Sequence, residues 1–248
     1  MKKRRINPRI LLGLLLVLLS IFFYAIHYLL FKDAHHIFIY LVGDIAFVFI
    51  EVLLVTLIIH QILSDREKRA IFKKLNMVIG AFYSEVGTPL LKYFQVFDVN
   101  AGQTSSHLIV SNDWSPEHFI LIKKVLQNHV YKINSQAGDL EALQDFLVDK
   151  RGFPLRLLEN PNLLEHENFT DLLWAVFHLA EELSYRTNVH KLPDADFQHL
   201  AGDIARAYKL SIRQWIEHME HLKNDYPYLF SLAIRTNPFN PDASPEVK

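Results

Sequence analysis

Two long apolar runs near the N-terminal end of the chain constrain its fold more than any other feature. The first run, residues 10–31, contains 22 residues without a formal charge. A helix rises about 1.5 Å per residue and needs roughly 20 apolar residues to cross a hydrocarbon core. A cleaved signal peptide is the alternative, but the run is longer than a signal's apolar region and no small-residue cleavage pattern follows it. The run therefore predicts a retained transmembrane helix.

The second run, residues 37–64, is at least as long as the first. The next residues, 65–69, are too dense in charge to lie in lipid. Only the short turn 32–36 joins the two runs. We therefore predict a helical hairpin that crosses a bilayer twice and exposes almost nothing on the far side, which argues against an extracellular sensor.

The distribution of cations predicts the orientation of this hairpin. Five cations flank the first run, five follow the second, and only Lys32 lies in the connecting turn. They are Lys2, Lys3, Arg4, Arg5 and Arg9, then Arg66, Lys68, Arg69, Lys73 and Lys74. Because cytoplasmic flanks carry the excess of Lys and Arg, both termini are expected in the cytoplasm, and residues 1–9 form a basic cytoplasmic segment. The expected location is the plasma membrane, or the inner membrane in a Gram-negative cell.

The composition sets further bounds on function. Half of the residues are hydrophobic and the formal net charge is −1, so the chain lacks the basic bias that nucleic-acid binding requires. There is no cysteine, which excludes disulfides, thiolate metal sites and cysteine nucleophiles. The residues that follow the hairpin are numerous enough for one helical domain with its own core.

Two carboxylates, Asp44 and Glu51, lie inside the second run. A carboxylate near the bilayer centre costs about 2.5–3.5 kcal/mol unless it is protonated or paired. Seven residues apart, the two share a helix face but are separated by about 10 Å along the axis, too far to share one proton. Antiparallel packing predicts Tyr24 or His27 as partners of Asp44, and Ser20 as the polar residue nearest Glu51. Three roles remain open for these groups: a structural contact inside the hairpin or an oligomer, a contact with another membrane subunit, and an ion path.

Residues 65–97 predict a juxtamembrane helix that lies near the bilayer interface. Its second half is apolar nearly all round, with Pro89 expected to kink or end it. Gly80, Ser84 and Gly87 form a strip of small residues that would let another helix approach closely, and Glu85 beside it is a candidate contact with a partner. Ordinary helix packing and a lipid-facing segment are both compatible with this pattern.

The rest of the chain predicts a helical bundle. Residues 98–114 are polar and contain glycine, as in a loop, and residues 115–236 show helical periodicity with little strand pattern. Ser115 resembles a helix cap, a shorter helix is expected from Asp139 to about Val148, and two long helices are expected over 168–186 and 194–224. Residues 237–248 contain three prolines and are expected to be a disordered tail. The fold class is therefore all-α: a two-span transmembrane hairpin followed by a cytoplasmic α-helical bundle.

Thirteen histidines raise the question of a metal site. Side chains that commonly bind metal ions, His, Glu and Asp, occur about one helical turn apart in three places. The candidates are His178, Glu181 and Glu182; His199 and Asp203; and His218 and His221. A carboxylate-bridged two-metal bundle would need Glu-x-x-His pairs, which are missing after residue 97. Solvated or singly hydrogen-bonded histidines are the favoured interpretation, and no cofactor is predicted.

The sequence contains none of the usual nucleotide-binding, zinc-protease or hydrolase motifs. The leading hypothesis is a non-enzymatic adaptor, assembly subunit or signal relay that acts through its cytoplasmic domain. Its partner would be a membrane or cytosolic protein, or a second copy of the chain. One alternative is a membrane-anchored metal-dependent enzyme that uses the histidines and acids of the helical domain; another is a subunit of an ion-conducting oligomer.

Overall fold

The computed structural model describes residues 8–160, 163 and 166–247, and these residues form helices and no strand. The all-helical expectation is therefore confirmed. The basic segment predicted at the N-terminus lies mostly outside the described residues, which begin at Pro8. The chain divides into two compact units, with the boundary between Lys68 and Arg69.

The first unit contains α1 (Pro8–Phe31) and most of α2 (Ala34–Phe82). The turn between them is shorter than the predicted 32–36, because Lys32 adopts a left-handed φ of 47° and Asp33 accepts a hydrogen bond from the His36 amide at 3.1 Å. That cap allows α2 to begin at Ala34. None of the apolar windows in 10–31 and 34–67 is buried within the protein.

The segment predicted as an interfacial helix, residues 65–97, is instead largely part of the second unit's core. Helix α2 continues to Phe82, a π-helical turn follows over Tyr83–Gly87, and α3 (Thr88–Phe97) begins with Pro89 in its first turn. Leu75, Ile79 and Phe82 are at most 2% exposed. The segment is apolar on every face because these side chains contact other protein side chains, and contact with lipid is not needed to explain the pattern.

The remaining helices of the second unit surround a central pair. These helices are α4 (Ala101–Ser106), α5 (Pro116–Asn128), α6 (Leu140–Lys150), α7 (Gly152–Leu158), α8 (Glu167–Ser184), α9 (Asp194–Asp225) and α10 (Pro227–Arg235). Helices α8 and α9 pack along each other, and their periodic apolar positions are buried as predicted. Ser115 and Asp139 cap α5 and α6 through the amides of His118 and Ala142.

Residues 98–114 are more ordered than the predicted loop. Asp98 is 5% exposed and accepts a hydrogen bond from Thr104 Oγ1 at 2.7 Å, which fixes the short helix α4. The His129 Nε2 atom lies 3.2 Å from the same hydroxyl. Polar residues here serve a buried hydrogen-bond network, which sequence composition alone does not distinguish from a solvated loop.

The start of the C-terminal segment 237–248 is packed, contrary to the predicted disorder. Asn237 and Phe239 are 1% and 2% exposed. The Asn237 side chain donates a hydrogen bond to the Leu108 carbonyl at 2.8 Å, and the Phe239 ring meets Trp215 edge-on at 5.0 Å between centroids. The buried Phe239 ring and the hydrogen-bonded Asn237 amide hold the start of this segment on the core, although its three prolines suggested disorder.

Candidate functional site

An open groove of about 550 Å³ lies in the second unit between the end of α2, the π-helical turn and the start of α3 on one side and α9 and α10 on the other. Its lining is mainly apolar. The small and apolar lining residues are Met77, Gly80, Ala81, Trp215, Met219, Leu222, Leu229, Leu232, Ala233 and Pro238. Concave, mostly apolar sites with a few polar groups are the usual form of binding sites in proteins.

Polar groups enter the groove from both walls. Asn76, Ser84 and Thr88 contribute from one side, and His218 and His221 from the other. Asn76 Nδ2 lies 3.2 Å from His221 Nδ1, which also lies 2.8 Å from an Asp225 carboxylate oxygen. The groove therefore combines apolar contact area with a few directional groups.

His218 is the most unusual of these groups, because it is 8% exposed and its Nδ1 atom has no hydrogen-bond partner among the described residues. Its ring stacks on Tyr83 at 5.2 Å. Burial, with a smaller contribution from nearby His221, lowers the pKa of His218 to about 4. The imidazole is therefore neutral near pH 7, and its buried Nδ1 atom stays without a hydrogen bond among the described residues.

The predicted small-residue strip divides between two roles. Gly80 and Ser84 line the groove, and a Cβ on Gly80 would lie 3.5 Å from His218 Cε1. Gly87 faces the other way: a Cβ there would come within 2.6 Å of the Tyr83 ring. Glu85 is exposed and does not line the groove. Only the first two residues of the strip are therefore placed to meet a ligand or partner.

A second constellation joins α8 and α9, where four of the predicted metal-ligand candidates come together. The Nε2 atoms of His178 and His199 lie 3.6 and 3.3 Å from Asp203 Oδ2. The same two atoms lie 3.9 and 3.5 Å from the two oxygens of Glu182. Within the described residues, His178, Glu182 and His199 form the group of side chains close enough to hold one metal ion together.

Arginines support the two carboxylates of this constellation. Arg186 donates to Glu182 Oε2 at 2.8 Å, and this hydrogen bond holds the pKa of Glu182 below its usual value. Arg186 also binds Asp196 in a two-pronged contact, which lowers the pKa of Asp196. Arg206 lies 3.3 Å from Asp203 Oδ1. Glu182 is thus held ionised, and an arginine lies beside each of the two carboxylates of the constellation.

The other metal candidates do not join this constellation. Glu181 pairs with Arg151 at 3.3 Å instead, because it projects from α8 toward α7. His218 and His221 belong to the groove. All four side chains of the α8–α9 constellation were candidates from the sequence. Their proximity depends on the packing of α8 against α9, which the sequence does not reveal.

Sequence reasoning missed the second wall of the groove. Leu229 and Leu232 of α10 are 41% and 45% exposed, and they face Met77, which is 65% exposed. An isolated exposed leucine carries no signal in a sequence. Their common location becomes visible only when α10 packs against α9.

The polar candidates in the two apolar N-terminal helices do not pair as predicted. Asp44 and Glu51 make no hydrogen bond or ion pair with any residue in the described part of the chain. His27 instead stacks on Phe31 and His36, with centroids 4.8 and 6.1 Å apart. Neither Tyr24 nor Ser20 reaches a carboxylate, so the hairpin alone does not satisfy the two acids.

Comparisons with known proteins agree with the division into two units. A family model described as the N-terminal helical domain of MJ1433 matches residues 2–63, and one described as the C-terminal helical domain of the uncharacterized protein MJ1433 matches residues 71–235. The uncharacterized protein MJ1433 of Methanocaldococcus jannaschii is 47% identical over 231 residues, covering 93% of each chain. No solved structure matches the chain.

Proposed function

The chain belongs to the MJ1433 family, and we propose that it is a two-span integral membrane protein that acts by binding a helix of a partner protein in the groove of its second unit. The observation that carries this proposal is the groove itself, with small residues on one wall and exposed apolar side chains around its rim. The proposed role is that of an adaptor or assembly subunit.

The exposure of the two N-terminal helices supports the membrane location. Both are long enough to cross a bilayer, at 22 and 34 residues, and their apolar windows are 0% buried. A core helix of a soluble protein would be covered by its own chain. Exposed leucine, isoleucine and phenylalanine in such numbers are stable in lipid and unfavourable in water.

The apolar rim favours a protein helix over a small ligand as the occupant of the groove. Met77, Tyr228, Leu229 and Leu232 are each more than 40% exposed, so the apolar surface extends beyond the cavity. A small ligand inside would leave this rim uncovered. An amphipathic helix would cover the rim with its flanks and insert its anchor side chains into the groove.

The lining matches the chemistry of helix docking. Gly80, Ala81 and Ser84 let a partner backbone come close, and Met77 and Met219 adapt their shape to different anchor side chains. The Thr88 side chain, which also lines the groove, would meet a polar side chain of the partner. We therefore expect a partner helix with an apolar stripe interrupted by one polar residue.

The unpaired carboxylates of α2 add an independent reason to expect a protein contact. Asp44 and Glu51 share one helix face and lack partners in the described part of the hairpin. Groups of this kind in lipid are usually paired with one another or with a neighbouring segment. A partner subunit, or a second copy of this chain, would supply the missing donors.

Photo-crosslinking in native membranes tests the groove. A benzophenone amino acid would replace Met77 at the rim, with Leu121 of α5 as the matched control because its side chain is 55% exposed and lies away from the groove. We expect a discrete adduct to a helix of another protein from position 77 and none from position 121. Filling the groove with Ser84→Trp should abolish it. Adducts to lipid alone, an adduct between two copies of the chain, or an adduct that survives Ser84→Trp would contradict the proposal.

A further inference from the structure

We propose that His178, Glu182, His199 and Asp203 form a Zn²⁺ site that ties α8 to α9. This inference does not depend on the groove or on its occupant. His178 and Glu182 lie one turn apart on α8, and His199 and Asp203 lie one turn apart on α9. Each helix therefore contributes one imidazole and one carboxylate.

The spacing of the ligand atoms fits a single tetrahedral ion. Zn²⁺ binds imidazole nitrogen and carboxylate oxygen at about 2.0–2.2 Å, which places neighbouring ligand atoms roughly 3.3–3.5 Å apart. Asp203 Oδ2 lies 3.3 Å from His199 Nε2 and 3.6 Å from His178 Nε2. Glu182 approaches the two imidazoles with different oxygens, Oε1 at 3.9 Å from His178 and Oε2 at 3.5 Å from His199, so a rotation of its carboxylate is needed to present one oxygen to both nitrogens.

The environment of the Asp203 carboxylate is an independent observation. Asp203 is only 4% exposed, yet its Oδ2 atom has no hydrogen-bond partner among the described residues. A buried carboxylate oxygen without a hydrogen bond is unfavourable. Both imidazole nitrogens approach this same atom, so a cation between them would satisfy it.

The other oxygens of the two carboxylates are already occupied by cationic side chains. Arg186 holds Glu182 Oε2, and Arg206 lies beside Asp203 Oδ1. This arrangement leaves Asp203 Oδ2 to both imidazoles and Glu182 Oε1 to His178, while His199 approaches the Glu182 Oε2 atom that Arg186 also contacts. Supporting contacts of this kind orient the ligands of metal sites.

The number of ligands indicates what the ion would do. His178, Glu182 and His199 are already close enough to share one ion, and Asp203 Oδ2 lies within 3.6 Å of both imidazoles. With Asp203 as the fourth ligand, the tetrahedral shell is complete and leaves no open position for a substrate, as in structural zinc sites. The ion would therefore stabilise the packing of α8 on α9, the two central helices of the second unit, rather than perform a reaction.

Zinc binding to the full-length chain tests this site. The protein would be purified in detergent with a tag that contains no histidine, stripped with a chelator, and titrated with Zn²⁺ against a chromophoric competitor. The test variant is His199→Ala, whose side chain is 51% exposed and whose loss should leave folding intact. The matched control is His190→Ala, which removes an exposed histidine that pairs with a single carboxylate, Glu141.

We expect one Zn²⁺ per chain, an affinity that falls by roughly 100-fold or more in His199→Ala, and a change of less than about twofold in His190→Ala. Zn²⁺ should raise the unfolding temperature of the wild type and the control but not of His199→Ala. Failure to bind one equivalent of Zn²⁺, or equal affinity in the wild type and His199→Ala, would show that the four side chains form only an ion-pair network.

Discussion

At the scale of single residues, burial keeps the His218 imidazole neutral. His190 is exposed beside Glu141, whereas His218 is enclosed by Tyr83 and the apolar wall of the groove. Transfer of a charged imidazole into such surroundings is unfavourable. His218 therefore makes the folded state sensitive to acid.

The pH dependence of stability checks this statement. Unfolded His218 takes up a proton below about pH 6.5, but the folded form does so only near pH 4. Between these values the unfolded state binds more protons, so stability is intact above pH 6.5 and is lost as the pH falls toward 4. Lowering the pH from 7 to 5 should reduce the free energy of unfolding by about 2 kcal/mol through this residue. Thermal unfolding of the full chain should lose part of its acid sensitivity in His218→Gln, with His190→Gln unchanged; an identical loss in all three proteins would contradict the assignment.

Glycine positions show why spacing alone does not define a contact surface. Gly80 and Gly87 belong to the same strip in the sequence, but only Gly80 opens onto the groove. The space beside Gly87 is filled by the rings of Tyr83 and Phe82 from the preceding turn. The π-helical turn over Tyr83–Gly87 rotates the faces of the helix and so separates the two residues.

At the scale of secondary-structure elements, the start of the C-terminal segment after α10 packs against the core of the second unit. Its amide and aromatic anchors, Asn237 and Phe239, contact residues far away in sequence, Leu108 and Trp215. Gln95 of α3 also donates a hydrogen bond to the Pro238 carbonyl at 3.0 Å. The segment therefore links α3, α9 and the region after α4.

Removal of the aromatic anchor should have the effect of a core truncation. Phe239→Ala is expected to lower the free energy of unfolding by about 3–5 kcal/mol, because the Phe239 ring is 2% exposed. The matched control is Val247→Ala in the same segment, where the side chain is 83% exposed and the change should stay within about 0.5 kcal/mol. Chemical unfolding of the full chain measures both. Equal, small effects would mean that the segment does not pack on the core.

At the scale of the whole molecule, the two units differ in what their apolar residues contact. In the second unit the large apolar side chains form one buried core, whereas in the first unit they are exposed along both helices. The exposed apolar side chains of the first unit are stable in a lipid bilayer. The proposed topology places the short turn outside the cell and the second unit in the cytoplasm.

The absence of cysteine from the sequence gives a direct test of this topology. Single cysteines would be introduced at Ala34, the first residue of α2 after the turn, and at Glu117, which is exposed at the start of α5. A membrane-impermeant maleimide added to intact cells should label the Ala34→Cys protein, and should label Glu117→Cys only after the cells are opened. The reverse pattern would invert the topology, and labelling of both in intact cells would contradict a cytoplasmic second unit.

Much of the local structure was predictable because it depends on neighbours in sequence. The cap at Ser115, the start of a short helix near Asp139 and the apolar periodicity of α8 and α9 are local signals, and the structure agrees with them. The buried part of 65–97 agrees with the ordinary-packing alternative, whereas the short helix α4 in the predicted loop and the packed start of the predicted tail were not expected, for the opposite reason. Each of these segments takes its environment from residues more than 20 positions away, which local composition does not reveal.

The sequence by itself therefore determined the helical class, the two apolar helices and the identity of the candidate ligands. These features follow from hydrophobic spacing and side-chain chemistry, which every residue carries with it. The tertiary structure alone decided that α10 completes the groove and that His178 and Glu182 face His199 and Asp203. Such juxtapositions depend on how helices distant in sequence pack together, because the free energy that selects one packing is shared among many side chains rather than encoded in any single segment.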